Sequence, residues 1–175
     1  MDDIILLKPD LSFTEEIISY RREFLEAGSS MDGTGSLRRH SDPKDWLAYN
    51  KMLENRETVP EYWVQGTQFI YVRKSENRIV GMIQVRHYFN EYLEKYGGHI
   101  GYSIRPSERR KGYACRMLHD FLPYCREIGL SKVLITCLSD NEGSRRTILK
   151  NGGVYEATVF EPEEKEYLER YWITL

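Results

Sequence analysis

The chain has 175 residues, 41% hydrophobic and 30% charged, with a net charge of −2. That is enough chain for one domain with a proper core. Without excess basic charge or a polybasic block, neither nucleic acid nor an anionic membrane is an expected partner.

The N-terminus opens Met1-Asp2-Asp3 and continues with four apolar residues, Ile4 to Leu7. A secretory leader needs a basic start and a longer apolar run, and no window approaches a membrane span. Ile4 to Leu7 is expected as a short strand. Phe13, Ile17, Phe24 and Leu25 recur at helical spacing, which predicts a helix over Phe13 to Glu26, with Ser12 or Thr14 at its cap. Gly28 to Ser36 reads as a flexible loop. Asp42-Pro43 starts a second helix that carries Trp46, Tyr49, Met52 and Leu53. Thr58 to Gly66 is irregular. Gln68 to Arg73 and Arg78 to His87 form a hairpin around a polar turn. Asn90 to Gly98 connects to a strand over His99 to Ile104, stopped by Arg105-Pro106.

A helix then begins near Gly112, with Met117, Leu118, Phe121, Leu122, Cys125 and Ile128 on one side. Pro123 should kink it, and Gly129 ends it. Lys132 to Leu138 is the continuous apolar run of a buried central strand. Asn141 to Lys150 is a short helix, and Val154 to Phe160 and Tyr167 to Thr174 are final strands. The fold class is α/β, with a strand-loop-helix-strand-helix-strand core in one domain over residues 1–175.

Cys115, Cys125 and Cys137 are odd in number and form no CxxC pair, so neither structural disulfides nor zinc is expected. A reducing, cytoplasmic setting follows. His40, His87, His99 and His119 show no metal-ligand spacing to one another, so no metal is expected. Gly33-Thr-Gly35-Ser-Leu-Arg38 fails as a dinucleotide fingerprint: its third glycine is Arg38 and no strand precedes it.

Two segments carry chemistry. In the first, Ile104 to Ala114, a strand ends, a basic loop turns and a helix begins at a glycine. Unpaired N–H groups and the partial positive charge of a helix N-terminus suit a diphosphate. Gly112 allows close backbone approach, Ala114 leaves room, and Arg109, Arg110 and Lys111 add charged donors. The plain alternative is a solvated basic loop. The second, Asp140-Asn141-Glu142-Gly143-Ser144, opens the helix after the buried strand. Asn141 is either a ligand contact or a simple N-cap, and Ser144 a donor or a first-turn filler.

Arg109-x-x-Gly112-x-Ala114 after a strand is similar to the coenzyme A pyrophosphate signature of the GNAT acetyltransferases. Downstream, Asn141-x-x-Ser144 through Lys150-x-Gly152 resembles that family's second motif. The likeness covers Arg78 to Phe160 and, more loosely, the whole chain. The resemblance implies a mixed, mostly antiparallel sheet with flanking helices, whose neighbouring strands His99–Ile104 and Lys132–Leu138 splay apart. It places pantetheine against Tyr102, Ser103 and Ile104, and the pyrophosphate on the N–H groups of Arg109, Arg110, Lys111, Gly112, Tyr113 and Ala114. Asn141 and Ser144 would face the pantetheine arm. Residues 28–66 would form one wall of the acceptor site, where Trp46, Trp63, Tyr62, Arg38 and Glu61 are available.

The implied reaction is N-acetyl transfer from acetyl-CoA to a primary amine, by direct attack through a tetrahedral intermediate, with a small amine or a peptide as acceptor. The backbone N–H of Ile104 would serve the oxyanion. His99 is the first candidate for the base and Glu61 the second. Many relatives carry a tyrosine seven residues after the motif's asparagine as proton donor. Here that position is Ile148, which leaves Tyr102, Tyr155 or water for the role. A coenzyme A-binding regulatory module without turnover is the alternative. A homodimer through the last strands is a further expectation.

Overall fold

The computed structural model describes residues 3–175. Ile4–Leu7 (β1), Gly66–Arg73 (β2), Arg78–Arg86 (β3) and Ile100–Ile104 (β4) form an antiparallel sheet in chain order. Lys132–Leu138 (β5), Val154–Glu161 (β6) and Glu166–Thr174 (β7) form a second, ordered β5-β7-β6. Thr14–Glu26 (α1), Pro43–Glu54 (α2), Tyr113–Glu127 (α3) and Glu142–Lys150 (α4) flank them. This is the expected mixed α/β architecture.

β2 and β3 are buried on both faces, and their alternation divides the core. Ile70, Val72, Ile79 and Met82 pack with Ile17, Tyr20 and Phe24 of α1 and Trp46 of α2. Phe69, Tyr71, Ile83 and Val85 face the other way, onto Met117, Leu118 and Phe121 of α3. α3 therefore buries the stripe read from its spacing. It continues through Pro123, where a kink was expected, to Glu127.

Two local expectations are corrected. Neither Ser12 nor Thr14 caps α1. A 3-10 turn over Leu11–Phe13 precedes it, and Asp10 caps that turn by accepting the N–H of Ser12 at 2.8 Å. The Thr14 hydroxyl instead donates back to the Leu11 carbonyl at 2.6 Å.

The loop over residues 28–36 is not a loose tether. Gln68 Nε2 donates to the Gly33 carbonyl at 2.8 Å, Trp46 Nε1 to that of Thr34 at 2.7 Å, and Asn50 Nδ2 to that of Gly35 at 3.2 Å. Three successive carbonyls are thus held by side chains from β2 and α2. A Gly/Ser-rich composition signals backbone freedom, but long-range donors decide whether that freedom is kept.

The backbones of the two sheets are joined at His99 and Leu134. The His99 N–H donates to the Leu134 carbonyl at 2.7 Å, and the Leu134 N–H donates to His99 Nδ1 at 2.9 Å. A side-chain nitrogen takes the place of a backbone acceptor there. From this latch, β4 and the end of β5 lead away along opposite walls of a cavity. β6 is the outer strand of its sheet, with Val154, Tyr155 and Phe160 exposed on the edge assigned to a homodimer.

Candidate active site

The register of β4 decides what the cleft offers. Arg86 N–H donates to the His99 carbonyl at 2.7 Å and Arg105 N–H to that of Val80 at 2.9 Å, with Gly101 opposite Gln84 and Ser103 opposite Met82. Hydrogen-bonded pairs alternate in an antiparallel ladder. His99, Gly101, Ser103 and Arg105 therefore bond to β3. The backbone groups of Ile100, Tyr102 and Ile104 turn the other way, toward the gap before β5. An extended ligand finds a half-made ladder there.

Ser103, expected in the same row, belongs to the other side: its hydroxyl lies 3.0 Å from the Tyr20 hydroxyl on α1. The Tyr102 ring crosses to α4, where its hydroxyl is 2.7 Å from Ser144 Oγ. Burial pushes the Tyr102 phenol well above the usual range, so it stays protonated at neutral pH.

α3 starts at Gly112, whose φ of +83° is the left-handed conformation that glycine adopts without strain. The loop before it is built on a buried carboxylate. Glu108 binds Arg73 at 3.0 Å, Arg78 at 2.9 Å and Lys111 at 2.9 Å, and these cations hold its carboxyl down at about 2. Arg73 also donates to the Tyr113 hydroxyl at 3.1 Å. Lys111 is thus drawn into the scaffold of the loop. Arg109 is similarly engaged, donating to the Ile104 carbonyl at 3.2 Å and Ser29 Oγ at 2.8 Å. What the loop presents to an anion is the N-terminus of α3 together with Arg110.

Asn141 caps α4 by accepting the Ser144 N–H at 3.1 Å. Apart from Lys111, every residue expected to hold coenzyme A lines one cavity of about 920 Å³. Sequence reading missed Thr136, Cys137 and Leu138 on the β5 wall, and Arg146 and Lys150 on α4. Both cations lie within the span of the second motif, four residues apart on α4, a signal that could have been used.

His99 stands outside this lining. It is buried, and its Nδ1 lone pair takes the Leu134 N–H, so the proton sits on Nε2. Burial and Arg86 push its pKa down to about 4. The neutral ring has no free lone pair in this arrangement.

A second cavity, of about 560 Å³, adjoins the first. Tyr49, Tyr62, Trp63 and Tyr92 give it an aromatic wall, and Asp32 and Arg86 line both cavities. Tyr62 and Trp63, from the segment expected to wall an acceptor site, line this second cavity. Trp46 is wholly buried, Arg38 is tied to the Ser29 carbonyl at 2.6 Å, and neither they nor Glu61 line either cavity. Tyr155 is exposed on β6 and bonded to Thr158 at 2.8 Å. Ile148 is fully buried in the core.

Solved structures share this architecture. The ribosomal-protein-S5-alanine acetyltransferase of Vibrio fischeri is 15% identical, with a TM-score of 0.75, over 99% of this chain and 94% of its own. RimJ of Mycobacterium smegmatis, solved with a coenzyme A disulfide, is 15% identical with a TM-score of 0.71, over 98% of this chain and 81% of its own. The microcin C7 self-immunity acetyltransferase MccE, solved with acetyl-CoA and AMP, is 18% identical with a TM-score of 0.69, over 100% and 94%. No curated protein matches the sequence. The family model of the acetyltransferase (GNAT) domain matches residues 25–154, and the chain belongs to that family.

Proposed function

We propose that this chain is an acetyl-CoA-dependent N-acetyltransferase acting on a primary amine. The observation that carries the proposal is the junction of the two cavities. The larger offers the outward backbone row of Ile100, Tyr102 and Ile104 together with the N-terminus of α3. It opens at Asp32 and Arg86 into the aromatic second cavity. Family membership and the coenzyme-bound neighbours agree with this reading.

The thioester supplies an activated acyl group, and the chain supplies position and charge. The pantetheine arm pairs with the free backbone groups of Tyr102, while its diphosphate rests on the N–H groups that open α3. The Ile104 N–H, already aimed into the gap, faces developing negative charge on the acyl oxygen. Holding amine and thioester at attack distance supplies a large share of the rate.

His99 is not assigned the base, because its acceptor nitrogen is engaged at the latch. Asp32 takes the proton, directly or through water, since it is the carboxylate at the junction. Tyr102, hydrogen-bonded to Ser144, donates to the departing thiolate in place of the family's α4 tyrosine. Both assignments are part of the proposal.

The buried Ile148 favours a second reading, a coenzyme-binding module without turnover. Two measurements separate the readings. Coenzyme A should raise the melting temperature, as any ligand specific to the folded state must. Acetyl-CoA with a panel of amines should release thiol in an amine-dependent way. A thermal shift without amine-dependent release supports the module; no shift at saturating coenzyme overturns both.

A further inference from the structure

We infer that the acceptor is a small amine carrying an anionic group close to its nitrogen, an amino acid or a similarly zwitterionic molecule, held between Asp32 and Arg86. The inference rests on the acetyltransferase reading and names the substrate class of that same site.

Arg86 ends β3 beside the latch, on the sheet face covered by α1 and α2. Its partner across the ladder is His99; Gly101 faces Gln84, one hydrogen-bonded pair away, and a Cβ built at Gly101 would lie 3.7 Å from Arg86 Nη1. The guanidinium thus lies alongside β4 at the mouth of the cleft, within ordinary contact distance of the Gly101 position. Nη1 donates to the Gly97 carbonyl at 3.3 Å, and among the described residues Nε and Nη2 have no hydrogen-bond partner. Removal from water weakens its hold on its proton, and Asp32 is the first of the acidic groups that offset this. A half-buried guanidinium with two free donor positions, turned into a cavity, is placed to donate to an anion that enters it. Its planar fork fits a carboxylate or a phosphate.

Asp32 supplies the complementary charge. It lines both cavities, as Arg86 does, so an ammonium and an anion of one small molecule can be met at the same place. Beyond them, Tyr49, Tyr62 and Trp63 leave a planar or apolar substituent a wall to stack on. Glu161, Glu164 and Glu166 at the β6–β7 end of the larger cavity attract the ammonium but do not tell a zwitterion from a plain amine. Arg86 makes that distinction, because it repels a purely cationic amine.

The test uses acetyl-CoA with matched pairs, phenylalanine against phenethylamine and tryptophan against tryptamine. O-phosphoethanolamine is the phosphate arm, and spermidine the amine without an anion. The wild-type protein should favour each amino acid over its decarboxylated twin. Arg86→Gln should lower that ratio of kcat/KM by roughly ten- to a hundredfold, the scale of a charge-assisted hydrogen bond. Arg86→Glu should turn preference toward spermidine. Comparing ratios cancels the amines' own reactivity and any general damage, and a retained thermal shift with coenzyme A shows that the variants fold. If O-phosphoethanolamine alone responds to Arg86→Gln, the anion recognised is a phosphate. Turnover with no preference for the anion-bearing amine, or a ratio unmoved by Arg86→Gln, overturns this inference and leaves the acetyltransferase standing. If no amine is turned over, the same pairs are read by thermal shift on the coenzyme-loaded protein, where a twin-independent shift overturns it.

Discussion

Replacing Gly33 with alanine puts a methyl group into the peptide that joins Gly101 to Tyr102. A Cβ there would lie 2.2 Å from the Gly101 carbonyl oxygen and 2.4 Å from the Tyr102 nitrogen, at a backbone φ of +66°. Two penalties combine. A left-handed φ costs a non-glycine residue about 1–2 kcal/mol, and overpacking adds about 1–3 kcal/mol. The obstacle is backbone of the central sheet rather than a side-chain tip, so the loop must lift. Gly112→Ala is the matched control: its φ is +83°, yet its Cβ meets nothing within 4 Å. It should lose about 1–2 kcal/mol, the strain alone. Without coenzyme, the Gly33 variant should therefore melt roughly 2–12 °C below the Gly112 variant, at about 2–4 °C per kcal/mol for a chain of this size. Calorimetry or urea unfolding reads the difference. Equal losses in the two variants would refute the close packing of this loop on β4, and with it the rigidity of the proposed acceptor wall.

The latch makes its own prediction. His99→Ala leaves the Leu134 N–H without its acceptor and should cost about 1–3 kcal/mol, whereas His99→Asn, which can offer an oxygen in place of Nδ1, should recover part of it. An unchanged pH–rate profile in His99→Asn is expected, and loss of its acidic limb would restore His99 as the base. Because folding lowers the pKa of His99 from about 6.5 to about 4, its neutral form stabilises the fold fully above pH 6.5. That stability should drain away as pH falls from 6.5 toward 4, and unfolding followed from pH 7 to 4.5 in wild type and His99→Asn isolates it. Glu108, with its carboxyl held at about 2, behaves as the usual carboxylate: its contribution is present above about pH 4.5 and is lost as pH falls through 2. Glu108→Gln leaves Arg73 without its main partner and should cost about 3–5 kcal/mol, with weakened coenzyme binding as the loop before α3 loosens; an unchanged melting temperature would deny Glu108 this role. Tyr102→Phe should lower kcat by roughly ten- to a hundredfold with little change in coenzyme affinity, and equal turnover would assign the thiolate's proton to water.

Spacing alone was enough to read most elements. The alternation in Phe69 to Val72 and in Ile79 to Val85 marks strands buried on both faces, and the stripe from Met117 to Cys125 marks the helix that covers one of them. Arg109-x-x-Gly112-x-Ala114 and Asn141-x-x-Ser144 were legible because helix N-termini impose local rules on local residues, and the structure gathers both at one cavity. Other features depended on partners far away in the chain. That Glu108 is held by Arg73 and Arg78, that Ser103 turns to Tyr20, and that His99 lends its lone pair to Leu134 follow from register and from which strands become neighbours. Asp32 and Arg86 carry no motif: one lies in a Gly/Ser-rich loop and the other at a strand end, 54 residues apart by number. Only folding β3, β4 and the loop over residues 28–36 around the glycines at 33 and 101 brings them to the same junction. Local sequence specifies backbone conformation and which face is apolar. Long-range pairing decides which polar atoms are satisfied inside the protein and which remain free to meet a substrate.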